Sequence, residues 1–102
     1  MTFRKRVFDV VSQIPSGSVM TYGDVAEVLG TKAYQAIGQI LHTNSDPVKI
    51  PCHRIVKKDG SLASGYAMGG QSMQRERLES EGVVFLKNKI DLGKHKYKFG
   101  KS

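Results

Sequence analysis

Cysteine is nearly absent from this chain: Cys52 is the only one in 102 residues, accompanied by three histidines. A single thiol excludes an intramolecular disulfide framework and fits a reducing compartment. One cysteine and histidines scattered at positions 42, 53 and 95 lack ligand spacing, so no metal is implied, and no cofactor is called for. Apolar runs long enough to span a bilayer are missing, and residues 1 to 20 lack a signal-peptide core. The chain therefore reads as intracellular and without a membrane partner, cytoplasmic or, in a eukaryote, nuclear. Acidic residues are few, nine against sixteen Lys and Arg, for a net charge of +7. That imbalance either favours a polyanionic partner, most simply nucleic acid, or serves solubility alone. There is no internal repeat and no domain boundary. With 39% hydrophobic and 25% charged residues, positions 1–102 read as one globular domain with a single modest core and a basic C-terminal tail.

The apolar spacing predicts helices first. Phe3, Val7, Val10, Val11 and Ile14 recur at helical intervals from residue 2 to about residue 13, with Thr2 as cap, and Pro15-Ser16-Gly17-Ser18 ends the run. Thr21 caps a short helix over 22–29, closed by Gly30. Thr31 restarts a third helix, from residue 32 to about residue 43. It places Ala33, Ala36, Ile37, Ile40 and Leu41 on one side and leaves Tyr34, Gln35, Gln39 and His42 facing outward. Two short helices joined by so tight a turn read as a helix-turn-helix, whose second helix is the one offered to DNA, or as an ordinary hairpin packed on the first helix. An extended stretch from 48 to 57 follows, and Asp59-Gly60 turns it back into a hairpin or wing. A Gly-rich stretch from 64 to 70 precedes a last helix, from about residue 71 to residue 80. Beyond Phe85 the lysine-rich tail either follows a phosphate backbone or is a solvated terminus. The fold class expected is mostly α with a small β wing, a winged helix-turn-helix-like domain.

Chemistry concentrates at Pro51-Cys52-His53-Arg54. A thiol reacts as its thiolate, so a working cysteine needs a base or a positive potential beside it, and a preceding proline restricts how it is presented. His53 can be that base, directly or through one water. The alternative is a small buried hydrophobe next to a histidine with its hydrogen bonds satisfied.

Several motifs, in order, weigh against the bland alternative. They are Gly17-Ser18-Val19-Met20-Thr21-Tyr22 before a short helix, Ala36-Ile37-Gly38 on the next, Asn44 eight positions before Cys52, the Pro-Cys-His-Arg run, Gly65-Tyr66 with Gly69-Gly70, and Leu78-Glu79-Ser80-Glu81-Gly82. Over residues 3 to 86 the chain thereby resembles the DNA-binding, active-site domain of the O-6-alkylguanine-DNA alkyltransferases, the methylated-DNA-protein-cysteine methyltransferases. The resemblance implies a protein that binds double-stranded DNA containing alkylated guanine, rotates the base out of the stack, and takes the alkyl group onto Cys52 irreversibly. It makes His53 the water-bridged base, Glu81 the carboxylate that orients it, Asn44 the brace of the active-site turn, and Tyr22 the hydroxyl beside the flipped guanine. Tyr66 would wall the pocket and the amide of Ala67 or Met68 would donate to O-6, within the glycine loop that includes Gly69 and Gly70. The carbonyls of Cys52 and Ile55 would accept from the guanine amino group. Thr21, Tyr34, Gln35, Ala36 and Gly38 would line the DNA-facing helices.

The sequence departs from the family pattern at one informative place. Where the family has an arginine finger just before Ala-Val-Gly, this chain reads Tyr34-Gln35-Ala36-Ile37-Gly38, so either Gln35 or Tyr34 must fill the space left by the flipped base. Two other readings stand beside suicidal repair. One is an alkyltransferase-like protein that binds lesions and flags them, although such relatives usually lack the cysteine. The other is a winged helix-turn-helix regulator, which would need neither Cys52 nor Glu81. Nothing marks a dimer surface, and a monomer is expected.

Overall fold

The computed structural model describes residues 2–44, 46, 49–62 and 70–98. Three helices make the first half: α1 (Phe3–Ser12), α2 (Tyr22–Leu29) and α3 (Tyr34–His42), with the two-residue strand β1 (Met20–Thr21) leading into α2. Thr2 caps α1, its hydroxyl accepting from Lys5 N at 3.1 Å. Thr21 and Asp24 form a reciprocal capping box on α2 at 3.0 and 3.1 Å. Gly30 ends α2 in the left-handed region at φ 69°, where a side chain would be strained. All three caps, Thr2, Thr21 and Gly30, are where the sequence puts them.

Helix α3 begins at Tyr34, two residues later than the apolar pattern suggests. The reason is local: Thr31 spends its hydroxyl on Ala33 N at 3.1 Å, a turn interaction, so it does not cap. Val7, Val10, Val11, Ile14, Val25, Ala26, Ile37 and Leu41 bury one face of each helix in a shared core that also takes in Met20, Cys52 and Ile55. Each such side chain withdrawn from water contributes about 1.5–3 kcal/mol before entropy is counted. Cations of α1 tie the other two helices at their carbonyl ends. Arg6 donates to Leu29 O at 3.2 Å, and Arg4 to the hydroxyl of Thr43, the C-cap of α3, at 2.7 Å.

The mostly helical class with a small β element stands, but the expected extended stretch and the place of the wing are corrected by the structure. Cys52–Arg54 is a single 3-10 turn, closed by Arg54 N to Pro51 O at 2.9 Å, and only Ile55–Val56 (β2) is strand. Strand β2 pairs in parallel with β1, Met20 opposite Ile55 and Thr21 opposite Val56, so the segment joins the helical half instead of folding back on itself. Asp59-Gly60 does turn the chain, with Gly60 N bonded to Lys57 O and Lys57 N to Ser61 O at 2.9 Å each, but no ladder follows among the described residues. The antiparallel hairpin is built further on, from β3 (Phe85–Leu86) and β4 (Lys89–Ile90), with Lys87 at φ 62° in its turn.

That hairpin and the helix α4 (Gly70–Ser80) enclose a second core of Val19, Val56, Leu62, Leu78, Val83 and Ile90. Within the basic tail, α5 (Leu92–His95) buries His95, whose ring joins Gly17 O to Val84 N at 2.9 Å each. No helix among the described residues is long and apolar enough to cross a membrane. The Cys52–Arg54 turn leads into the seam between the two cores, since Cys52 and Ile55 belong to the first and Val56 to the second.

Candidate active site

Cys52 reaches its position through the turn that follows Pro51. Its own N–H bonds to Ile50 O at 2.7 Å, and its carbonyl accepts from Ile55 N, so the thiol is carried on backbone with its hydrogen bonds made. Asn44, buried just beyond the end of α3, reaches across eight residues. Its amide donates to Ile50 O at 2.7 Å and to Cys52 Sγ at 3.3 Å, while its carbonyl oxygen accepts from Asp46 N at 2.9 Å. Burial pushes the Cys52 thiol above its ordinary value; the Asn44 hydrogen bond, a backbone hydrogen bond and the charge of Arg77 bring it part of the way back. At neutral pH the sulfur therefore rests as a thiol that needs a base.

His53 is 4% exposed, and its Nε2 lies 2.9 Å from Glu81 Oε2. The same carboxylate is gripped by Arg54, whose Nε donates to Oε1 at 2.9 Å and whose Nη2 donates to Oε2, while Nη1 donates to Ile14 O at 2.7 Å. Burial alone would raise the Glu81 carboxyl, but the hydrogen bonds and charges of Arg54 and His53 outweigh it and hold the group below the usual carboxylate value. An ionised carboxylate only accepts, so the proton of a neutral His53 sits on Nε2 and its lone pair on Nδ1. Nδ1 is buried and has no partner among the described residues. Burial, seconded by the charges of Arg54 and Arg77, lowers the imidazole below 6.5 against the pull of Glu81. His53 is accordingly a neutral base at pH 7 with its basic nitrogen unoccupied.

Tyr22 opens α2 and packs against the helical core. Burial, with the neighbouring Cys52 as a second cause, raises its phenol, which stays protonated and able to donate. A side chain at Gly38 would meet the Tyr22 ring at 3.9 Å, so α3 passes close beside it. Tyr34, 50% exposed, and Gln35 stand at the outer start of α3, with Ala36 partly covered. Thr21 is 5% exposed and its hydroxyl is occupied by the cap, which gives it a structural task.

Gly70 opens α4 at φ 76°, whereas Tyr66, Ala67, Met68 and Gly69 lie outside the described residues. Ile55 O already accepts from Gln74 Nε2 at 3.0 Å, which leaves one lone pair. Gln74 is the functional-site neighbour that the sequence reading passed over. It is fully buried and also donates to His53 O at 3.1 Å. The available signal was its spacing, seven residues before Glu81 and hence on the same side of the helix.

The family model for the DNA-binding domain of 6-O-methylguanine DNA methyltransferase matches residues 2–83. The chain is 46% identical over 81 residues to the methylated-DNA--protein-cysteine methyltransferase of Methanothermobacter thermautotrophicus, covering 79% of this chain and 44% of that protein. It thus spans less than half of that relative's length. To alkyltransferase-like protein 1 of Schizosaccharomyces pombe it is 33% identical over 95 residues, covering 92% of this chain and 86% of the relative. Among solved structures, S. pombe Atl1 in complex with damaged DNA containing O6-carboxymethylguanine superposes with a TM-score of 0.79 at 28% identity, covering 94% of each chain.

Proposed function

We propose, from the premise that this chain belongs to the family of the 6-O-methylguanine DNA methyltransferase DNA-binding domain, that it repairs O-6-alkylguanine in double-stranded DNA by moving the alkyl group irreversibly onto Cys52. The observation that carries this reading is the Asn44–Cys52 and His53–Glu81–Arg54 arrangement, in which a positioned thiol adjoins a neutral imidazole of defined tautomer. The helix-turn-helix binds the duplex, and the damaged guanine leaves the stack to reach the sulfur. His53 Nδ1 takes the thiol proton through a bridging water. Sulfur attacks the alkyl carbon, the carbon–oxygen bond breaks, and the electron pair departs with guanine O-6. Tyr22 steadies the charge on the leaving purine and His53 returns the proton to it. Each molecule acts once, as a monomer.

A second reading, lesion binding without transfer, is favoured by the extent of the match to the S. pombe alkyltransferase-like protein. Intact-mass spectrometry after incubation with a duplex carrying one O-6-methylguanine, beside a Cys52→Ser control, separates the two. Repair requires a gain of one methyl group that the control lacks; tight binding with no gain would leave lesion flagging.

The start of α3 supplies a further expectation. With glutamine or tyrosine where the family has an arginine finger, flipping is supported less strongly than its cost of a few kcal/mol demands. Gln35→Arg is expected to accelerate methyl uptake at limiting duplex by about tenfold, roughly 1.4 kcal/mol. A variant no faster than the parent would show that Tyr34 or another group already fills the gap.

A further inference from the structure

Carbonyls at the end of a helical turn need donors from outside it. In the turn that carries Cys52 and His53, Pro51 O accepts from Arg54 N and Cys52 O from Ile55 N. The next carbonyl, His53 O, is met by a side chain. Gln74 of α4 donates to it from Nε2 at 3.1 Å, and the same nitrogen donates to Ile55 O at 3.0 Å. Gln74 is fully buried, and its Oε1 is buried with no partner among the described residues.

The orientation of this amide is set by its donor end. A carboxamide nitrogen has two protons to give, one for each carbonyl, whereas its oxygen in the same place would face two other oxygens. That orientation leaves a buried acceptor unpaired, which native structures seldom hold without a use for the group. A residue that only filled space would be apolar and free of that cost. The use lies in which carbonyls are held. His53 and Ile55 flank Arg54, so one amide ties down three successive residues. His53 is thereby held twice, by Gln74 at its backbone oxygen and by Glu81 at ring Nε2, 2.9 Å away. With backbone and ring both anchored, Nδ1 keeps a set direction relative to Cys52.

The geometry points to Gln74 as a positioning residue for the transfer step: its clamp on the carbonyls of His53 and Ile55 holds the imidazole where Nδ1 draws the proton from Cys52. This role rests on His53 serving Cys52 as its base. Gln74 touches no reacting atom and exchanges no proton; the thiol proton goes to His53 and from there to the departing guanine. Fully buried, Gln74 offers no surface to DNA, so its effect falls on rate and not on duplex binding.

The test compares the parent, Gln74→Met and Gln74→Lys, each with and without His53→Ala. Two rates are read: methyl uptake at saturating O-6-methylguanine duplex, and iodoacetamide labelling of Cys52, the only thiol. Methionine keeps the length of the side chain and donates nothing, while lysine can donate to both carbonyls. Gln74→Met is expected to slow uptake about tenfold and labelling about threefold at pH 7, with the half-saturating duplex concentration unchanged. In the His53→Ala background the same substitution should change neither rate, because the two residues act as a unit. Gln74→Lys should stay within about twofold of the parent. Equal losses with and without His53 are the mark of a merely structural residue and overturn the proposal. So do parental rates in Gln74→Met, or a lysine variant that behaves like methionine. Should Gln74→Met not fold, Gln74→Leu is read in the same way. A parent that takes up no methyl, while labelling shows the coupling of Gln74 to His53, would remove the acceptor reading and leave Gln74 in its role. Uptake by the parent without that coupling would remove Gln74 alone.

Discussion

Glu81→Gln is expected to lower the unfolding free energy by about 2–3 kcal/mol at pH 7 and to slow methyl uptake by about a hundredfold. The side chains of Arg54 and Glu81 are 16% and 14% exposed, so removing the carboxylate charge strands a largely buried guanidinium; residual contact with water keeps the cost below that of a fully buried pair. Catalysis falls because an amide can either donate or accept. It no longer requires the His53 proton to sit on Nε2, and the lone pair at Nδ1 is no longer assured. Urea unfolding and single-turnover mass spectrometry measure the two losses.

The pH dependence of stability distinguishes this variant further. The native Glu81 carboxyl lies below its ordinary 4.5, so its contribution is complete above that value and is lost as pH falls through the native pKa. Native His53 lies below 6.5, so beneath that pH the unfolded chain binds a proton that the folded chain refuses, and stability falls as acid is added. The parent should therefore weaken in two steps as acid is added, the first setting in near pH 6.5 and the second near pH 4.5, the ordinary values of the two groups. In Glu81→Gln the lower step should vanish. A glutamine variant that retains the lower step would assign it to another carboxylate.

Asn44→Ala is expected to cost about 2–3 kcal/mol and to slow thiol alkylation severalfold at pH 7. The 4%-exposed amide supplies partners to Ile50 O, Asp46 N and Cys52 Sγ; alanine takes them from Asp46 N and Cys52 Sγ and leaves Ile50 O with Cys52 N alone. Since that hydrogen bond lowers the thiol pKa, its removal leaves burial less opposed and the thiolate scarcer. Asn44→Asp makes the sharper contrast. It can still accept from Asp46 N, but it cannot donate to Ile50 O, and its charge repels a thiolate; it should label more slowly than alanine. Labelling of Asn44→Asp at the parental rate would separate Asn44 from thiol chemistry.

The helices were legible because the features that define them are local. The apolar period of α1, the Thr21 capping box and the Gly30 stop each act within a few residues. The wing was not legible at 54–62. A parallel pairing with Met20–Thr21 is a long-range event that leaves no mark on the alternation of either partner, and two-residue strands are too short for a period to show. The lysine-rich tail read either as following a phosphate backbone or as a solvated terminus because its lysines dominate the composition; the packing of its described part turns on His95 and Ile90, two buried residues in a basic run.

By itself the sequence determined the chemical inventory: one thiol, a histidine beside it, a proline before it, and a glutamate at a helix end. Residue types and short spacings are properties of the chain. Only tertiary structure decided how these groups act together. The carboxylate of Glu81, 28 residues away, meets His53 because α4 packs against the turn; Arg54 holds that carboxylate ionised; and Asn44 reaches Cys52 across a loop. Proton location and thiol basicity depend on burial and on charges within a few ångströms, and those distances exist only once the helical core and the hairpin core have closed on the turn between them.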